Sequence, residues 1–491
     1  MNLDAHMCYG AAVSEAGGSL PGDSIEDTVV AVSTATGRGA IGIVRLSGSQ
    51  AMEIARAAFR PAGASYLPEE SHRLHYGHIV DPHNGETIDE VLVAVMRAPR
   101  TYTREDVVEI NCHGGPVVQR AVLRVLISLG ARPAEPGEFT RRAFLNGRID
   151  LTQAESVASI VSARSSAALR VSLRQLEGGL SERLKAVRRA LVGLLALIEA
   201  TVDFSDDDVD ELDWDRLAAG LSLVEDDLAV LLDTAFLGRA LENGVRTAIV
   251  GRPNVGKSSL LNALLMRERA IVSDIPGTTR DTVEELIEIG GIPIHLVDTA
   301  GMRRGGDYVE QLGMQRSMEA MEQADLVLAV IDLSVPWDES DADLVRRLDP
   351  RRSLVVGNKR DLVDERRIND LSDHVARAVD ATGQDVPRQH TVSAATGAGL
   401  DGLRQMIQRL VTGDHGMHLE EPVLATERQR SLVSEALANT QAAIEGARHY
   451  RGEELICEDI RGAVRALGRM TGEDLTPDLL DEIFSRFCLG K

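Results

Sequence analysis

The sequence is poor in aromatic residues: Phe, Trp and Tyr together make up 3% of 491 residues. So scarce a set argues against the stacking platform on which single-stranded nucleic acids are bound base by base. Cysteine is scarce as well, with four: Cys8, Cys112, Cys457 and Cys488. They stand far apart and form no Cys-x-x-Cys pair, which signals neither a zinc site nor a disulfide framework and leaves reduced thiols in a cytoplasmic protein. No apolar run reaches about 18 residues, so no transmembrane helix is expected. Residues 1–24 carry Asp4 and Glu15, with neither a basic start nor an apolar stretch; they read as a flexible extension and not as a signal peptide. Positive charge is in deficit, 53 Lys and Arg against 76 Asp and Glu, for a net charge of −23. That argues against a chain-wide affinity for phosphate backbones or anionic membranes. A nucleic-acid partner would need a local basic patch or a helper protein.

What is present is a globular composition, 44% hydrophobic and 26% charged, with enough chain for about three domains. Residues 25–145 mix apolar runs of strand length (Thr28–Val32, Ile41–Leu46, Val91–Met96, Val107–Ile110) with one helix pattern at Pro116–Leu129, and read as an α+β domain. From Leu151 the period becomes helical: Leu180, Leu184, Val187, Leu191, Leu194 and Ile198 share one face. The acidic stretch Asp203–Asp215 reads as a solvated linker. Strands and helices then alternate, with Val245–Val250, Pro293–Val297, Leu326–Ile331 and Ser353–Val356 suited to buried parallel strands. Helical patterning returns after Gly413, with Leu432, Val433, Leu437 and Ile444 on one face. The pattern predicts an α/β domain at 244–412 inserted between the two halves, 146–243 and 413–491, of an all-α domain.

The inserted domain carries the chemistry. Gly251-Arg-Pro-Asn-Val-Gly-Lys257-Ser258 follows a strand and opens a helix, the context of a phosphate-binding loop. Its glycines let backbone N–H groups curl around phosphates at a helix N-terminus. Lys257 would reach the β- and γ-phosphates, and Ser258 would ligate Mg²⁺. Asp298-Thr299-Ala300-Gly301 follows a later strand: Asp298 can hold Mg²⁺ through water, and the Gly301 N–H can meet the γ-phosphate. Asn358-Lys359-Arg-Asp361 follows another, and the Asp361 carboxylate can accept the paired donors of guanine, N1–H and the 2-amino group, a pair adenine lacks. Gly277-Thr278-Thr279-Arg-Asp281 supplies a switch threonine for Mg²⁺, Thr279. The four motifs in this order predict GTP binding.

Where small GTPases carry a glutamine that orients the attacking water, this chain has Met302. The chain is therefore a very slow hydrolase or takes its catalytic help from elsewhere; Met302 can equally be packing, and spacing alone locates no other base. Gly37-Arg-Gly-Ala-Ile-Gly42 matches a dinucleotide fingerprint but runs into a strand, so no helix N-terminus would meet a pyrophosphate. Cys488-Leu-Gly-Lys491 has the wrong residues for a prenylation box.

The chain resembles the MnmE (TrmE) family of tRNA modification GTPases. The likeness runs from about Ile25 to the last residue. It rests on Thr36-Gly-Arg-Gly-Ala-Ile-Gly-Ile-Val-Arg45, on Glu109 to Gly115 with its His-Gly-Gly, on Pro136-Gly-Glu-Phe-Thr-Arg-Arg-Ala-Phe-Leu-Asn146, on the GTPase motifs, and on Phe487-Cys-Leu-Gly-Lys491. A generic GTPase would share only the central third. The extension has no counterpart. The resemblance implies a Ras-like G domain inserted into a helical domain and preceded by a folate-binding α+β domain that holds a homodimer together. It implies work in the cytoplasm with a flavoprotein partner, MnmG, which carries the FAD. Together they add an aminomethyl-type group to carbon 5 of the wobble uridine of tRNA, with a tetrahydrofolate derivative as one-carbon donor. The G domains meet when GTP and K⁺ are bound.

By the same resemblance, GTP contacts fall on Asn254, Val255, Gly256, Lys257, Ser258 and Ser259; on Ser273, Asp274, Ile275, Pro276, Gly277, Thr278 and Thr279; on Asp298, Thr299, Ala300 and Gly301; and on Asn358, Lys359, Asp361 and Ser393. Asn254, Thr278 and the backbone of Ser273 and Ile275 would hold K⁺, which stands where an arginine finger would. Glu310, by spacing alone a solvated glutamate at a helix start, matches the family residue that orients the attacking water. Arg45, Glu109, Arg148 and Lys491 match folate-contacting positions; Arg148 is lysine in some relatives, which keeps the charge and changes the donor geometry. Cys488 matches a modification-site cysteine whose role, nucleophile, proton carrier or packing group, stays open. The competing reading is a ribosome-assembly or signalling GTPase whose flanks bind RNA or protein. A single motif set excludes the double-G-domain class, and no Gly-x-x-Gly loop sits in a basic C-terminal context as a KH domain requires.

Overall fold

A computed structural model of the chain describes residues 27–35, 37–63, 70–203, 213–267, 284–298, 318–380, 383, 385–412, 421–450, 452–473, 475–485, 487–488 and 490. The described residues form two compact units: one up to Ala158 together with Thr471 onward, the other from Ser159 to Met470.

The first unit is built on a mainly antiparallel seven-stranded sheet. Its strands are β1 (Val29–Val32), β2 (Ile41–Ser47), β3 (Phe59–Pro61), β4 (Arg73–Val80), β5 (Thr87–Met96), β6 (Val107–His113) and β7 (Arg132–Pro133), in the order β3-β4-β5-β6-β2-β1-β7. Helices α1 (Ala51–Ala58), α2 (Pro116–Ser128), α3 (Glu138–Leu145) and α4 (Leu151–Ser162) complete the N-terminal chain. Alternation decides the two faces. Val44, Leu46, Val93, Val108 and Ile110 pack with Ile54 of α1 and with Val122 and Leu126 of α2 in one core. Arg45 of β2 and Glu109 of β6 lie opposite each other in the antiparallel register, on the other side of the pleat from Val44 and Leu46. There Val29, Ala31 and Ala134 pack with Phe139 of α3. The four strand segments expected from the sequence are all present. β4 was not expected, because its opening Arg-Leu-His-Tyr leaves Leu74 and Tyr76 outside and shows no buried alternation.

The second unit combines helices with a six-stranded sheet. Helices α5 (Ser166–Leu176), α6 (Gly179–Asp203), α7 (Trp214–Asp233) and α8 (Ala235–Asn243) come first. Then follow β8 (Val245–Val250), α9 (Lys257–Arg267), β9 (Glu284–Ile289), β10 (Ile292–Asp298), β11 (Leu326–Asp332), α10 (Glu339–Arg346), β12 (Ser353–Asn358), α11 (Glu365–Asp380), β13 (Arg388–Thr391) and α12 (Leu400–Thr412). Two long helices close it, α13 (Glu427–Arg448) and α14 (Glu453–Thr471). Strand order is β13-β12-β11-β8-β10-β9, all neighbours parallel except β9 with β10. β11 and β12 are buried along their whole lengths, as strands covered on both faces must be. The apolar faces predicted on α6 and α13 meet: Leu180, Leu184, Val187, Leu191 and Ile198 share a core with Leu432, Val433 and Ile444. Thr426 starts α13 with a reciprocal capping box to Gln429.

The final helix, α15 (Pro477–Ser485), belongs to the first unit. The sequence grouped Phe484 and Phe487 with the helical segment 413–491. The structure instead packs them at the start of α3: a Cβ on Gly137 would lie 2.7 Å from the Phe484 carbonyl and 2.9 Å from the Phe487 Cβ. The Phe484 ring lies 6.5 Å from Phe144 and 5.2 Å from Phe487. The Ser33 hydroxyl donates to the Gly490 carbonyl at 3.1 Å. The tail prefers α3 because that surface offers a glycine at φ +71 and an aromatic partner.

Candidate functional site

The nucleotide site grows from the carboxyl ends of parallel strands, where open α/β sheets bind ligands. After β8 the chain turns through Gly251 at φ +147, Asn254 at φ +62 and Gly256 at φ +98, then enters α9 at Lys257. A Cβ on Gly251 would meet the Val330 carbonyl at 2.3 Å, and one on Gly256 the Asn358 amide nitrogen at the same distance. Both positions need glycine for space as well as for φ. Val255 is buried and anchors the loop, while Asn254, Ser258 and Ser259 are exposed along its lip. The Lys257 ammonium donates to the carbonyls of Gly251 and Arg252, each at 2.8 Å.

The guanine motif is tied to this loop. Asn358, buried at the end of β12, donates through its side-chain amide to the Val255 carbonyl at 2.9 Å and accepts from the Ala394 N–H at 3.1 Å. Lys359 takes the left-handed conformation, φ +64, and its ammonium meets the Asp332 carboxylate at 2.5 Å. Asp361 follows, exposed, in a single 3₁₀ turn at Arg360–Leu362. Ser393 is fully buried, and its hydroxyl accepts from the Thr396 N–H at 3.1 Å, which fixes the loop after β13. The predicted residues Asn254, Val255, Gly256, Lys257, Ser258, Ser259, Asn358, Lys359, Asp361 and Ser393 therefore line one edge of the sheet. Asp298 ends β10 at the same edge, and only its backbone is described. Ser273, Asp274, Ile275, Pro276, Gly277, Thr278, Thr279, Thr299, Ala300, Gly301, Met302 and Glu310 lie outside the described residues.

Asp332 was missed by sequence reasoning. Burial pushes its carboxyl up, but hydrogen bonds from Lys359 and Ser334 outweigh burial and hold it below the ordinary aspartate value. The available signal was its place as the one charged residue closing an apolar strand. Arg252 of the loop was missed too: it pairs with Asp338 and, at 2.9 Å, with buried Asp341 on α10. Burial raises the Asp341 carboxyl even though Arg252 pulls the other way.

The first unit holds a second cluster. The Arg45 guanidinium binds Glu109 through two nitrogens, at 2.7 and 2.8 Å, and lies 5.5 Å from the Phe139 ring centre. The Arg148 guanidinium lies 4.7 Å over the Tyr102 ring and donates to the Tyr102 carbonyl at 2.9 Å. The Tyr102 hydroxyl is 2.9 Å from that of Thr140, and the ring packs in the Phe139 cluster. Burial raises the Tyr102 phenol, against the pull of Thr140, Arg148 and Arg45. The structure thus brings Arg45, Glu109 and Arg148 together around two aromatics that the sequence did not single out. Cys488 is exposed, and its carbonyl accepts from the Gly137 N–H at 3.4 Å, two residues before Phe139. Lys491 lies outside the described residues. Cys112 is a different thiol: burial, then the nearby Asp89, pushes it up to about 11, so it stays protonated and inert at neutral pH.

Two family models match the chain: "GTP-binding protein TrmE N-terminus" over residues 28–148 and "MnmE helical domain" over residues 151–488. Curated relatives cover nearly everything. The protein described as "tRNA modification GTPase MnmE" from Moorella thermoacetica is 45% identical over 469 residues, 95% of this chain and 100% of its own. The chain belongs to the MnmE family. Those of the same description from Acetivibrio thermocellus and Geobacillus kaustophilus are 42% and 43% identical, each over 95% of this chain and 99% of its own length. Membership explains why a glycine-lined phosphate loop stands in one chain with the Arg45–Glu109 cluster: the N-terminal family model spans the cluster, and the longer one spans the loop. Among the described residues no helix is long and apolar enough to cross a membrane.

Proposed function

We propose that the protein is a GTP-hydrolysing tRNA modification enzyme. With an MnmG-type flavoprotein it adds an aminomethyl-type group to carbon 5 of the wobble uridine, taking the carbon from a tetrahydrofolate derivative. The observation that carries this reading is the cluster of Arg45, Glu109 and Arg148 around Tyr102 and Phe139, in the same chain as a complete phosphate loop. A signalling GTPase has no use for it.

The cluster suits a folate. The half-buried Tyr102 ring offers flat contact, with buried Phe139 as its backing, Glu109 is an acceptor for the amino edge of a pterin, and Arg45 holds that carboxylate in place. Arg148, and Lys491 with it, offer positive charge to the folate's carboxylates. The folate supplies the one-carbon unit, and Cys488 stands at the Gly137 end of α3.

In the G domain Asp361 selects guanine and Lys257 turns from the loop carbonyls to the β- and γ-phosphates. The tight loop, in which a Cβ on Gly256 would strike Asn358, suits a phosphate cradle. Ser258 with Thr279 and Asp298 would hold Mg²⁺; Asn254, left-handed and exposed on the lip, would hold K⁺ with Ser273, Ile275 and Thr278. Bound there, the two cations would offset the negative charge that develops on the phosphates. Glu310 orients the attacking water, the task Met302 cannot perform. The protein acts as a homodimer in the cytoplasm.

The test is mass spectrometry of wobble nucleosides in tRNA from a deletion strain, complemented with wild type or with Arg45→Ala. Loss of the C5-aminomethyl-type nucleosides, restored only by wild type, is expected. An unchanged nucleoside profile in the deletion strain would end this reading in favour of a ribosome-assembly or signalling role.

A further inference from the structure

Two arginines in the first unit hold each other's chain segments in a reciprocal clasp. Arg104 donates through Nη1 to the Asn146 carbonyl at 2.8 Å. Arg148 donates back through Nη1 to the Tyr102 carbonyl at 2.9 Å. Asn146 adds a third stitch, its side-chain amide donating to the Thr103 carbonyl at 2.7 Å. Gly147 lies between: a Cβ there would stand 3.5 Å from the Arg104 Nη1.

Arg104 has φ +60, a left-handed conformation sparsely populated by any residue with a Cβ. The surroundings impose it. Thr101 donates its hydroxyl to the Glu105 carbonyl at 2.6 Å, and the Thr103 hydroxyl lies 2.7 Å from that of Ser47. Strain held in this way marks a candidate functional position. The charge balance points the same way. Arg45, Arg97, Arg132 and Arg142 each meet a carboxylate. Arg104 and Arg148 are exposed, and neither forms an ion pair among the described residues. Each commits one N–H to a carbonyl and retains about four of its five donors.

We infer that the Arg104–Arg148 clasp is a subsite for a row of carboxylates, the γ-linked glutamates that extend a folate beyond its first glutamate. This rests on the folate reading above. Arg148, stacked on Tyr102, meets the first glutamate; Arg104, one glycine away, meets the next. Arginine forks match carboxylates in pairs, and a clasp fixed to backbone carbonyls is ordered before the ligand arrives.

The experiment measures binding of monoglutamyl and triglutamyl tetrahydrofolate to the full chain, wild type and Arg104→Gly. Glycine accepts φ +60, so the variant should melt no lower than wild type. Wild type should favour the triglutamate by about tenfold, the scale of one charge-assisted pair. The preference should shrink with added salt. R104G should weaken the triglutamate about tenfold and erase the preference, and Arg104→Lys should keep part of it. A preference unchanged in R104G, or none in wild type, overturns the subsite and leaves the folate reading standing. Wild type that binds neither folate overturns both. If R104G loses tRNA affinity while its folate preference is intact, the clasp serves RNA phosphates and the inference fails.

Discussion

At the scale of single residues, function rests on a few atoms that other residues hold still. Asp361 is exposed and free to meet a base because Lys359, left-handed, is anchored to Asp332 and Asn358 is anchored to Val255. Asp361→Asn should weaken GTP by at least tenfold and improve binding of xanthosine nucleotides, whose 2-carbonyl pairs with the new amide donor. Titration with both nucleotides checks it, and a variant that binds GTP as wild type does would show that base choice lies elsewhere. Gly256→Ala should abolish measurable GTP binding, since the new methyl meets the Asn358 amide nitrogen and φ +98 strains it further. The nucleotide residues were legible in the sequence because each acts through a short local motif. Asp332, Tyr102 and Phe139 were not. Their partners lie 27 to 46 residues away in Lys359 and Arg148, or 94 away in Arg45, and no local spacing records such pairings.

Whole elements were legible where burial is regular, as in β11, β12, α6 and α13. They were missed where a strand leaves large apolar side chains outside, as β4 does with Leu74 and Tyr76. The joint between elements in the first unit is ionic. Arg142 of α3, nearly buried, meets Asp27, Glu105 at 3.2 Å and Glu138 at 2.9 Å, and Arg132 of β7 meets Asp27 at 2.7 Å and Glu138 at 2.6 Å. Burial raises the carboxyls of Asp27 and Glu138, but hydrogen bonds from Arg132 and Arg142 outweigh it and set both below their ordinary 3.8 and 4.5. Depressed carboxyls stabilise the fold above their unfolded values, and that contribution is lost as pH falls through the folded ones. The first unit should therefore lose stability from about pH 5 downward. Glu138→Gln should flatten that acid limb in thermal melts, and a limb unchanged in the variant would remove Glu138 from the account. Glu138→Ala should cost roughly 1–3 kcal/mol, because Arg132 and Arg142 each lose a charged hydrogen-bond partner while Asp27 and Glu105 still offset their charge.

At the scale of the molecule, the proposed folate cluster and the phosphate loop fall in different compact units of one chain. GTP hydrolysis should depend on K⁺, because Met302 gives no help to water and Asn254 sits on the lip of the loop. Replacing K⁺ by Na⁺ at constant ionic strength should lower turnover strongly; equal rates would sink the monovalent-cation mechanism. Cys488→Ser, or loss of Lys491, should cut tRNA modification and leave K⁺-stimulated hydrolysis nearly intact. Both activities assayed on one preparation check it, and parallel loss would show that the tail is no separate modification site. The order of the domains was legible from changes of hydrophobic period. The return of the tail to the first unit was not, since Phe484 and Phe487 have the helical spacing of any docked helix and their partner surface lies some 340 residues upstream in sequence.

That return sets a schedule for synthesis. The sheet of the first unit is complete once Pro133 has emerged, yet Gly137 and Phe144 remain bare until Phe484 and Phe487 arrive. At roughly 5–20 residues per second the ribosome needs on the order of 15–60 s to make the intervening second unit. Throughout that interval the surface around Gly137 and Phe144 lacks the aromatic side chains that cover it in the finished chain. A chain cut before Phe484 should therefore melt lower in its first unit than the full chain, and an equal melting temperature would show that the tail adds nothing to that unit.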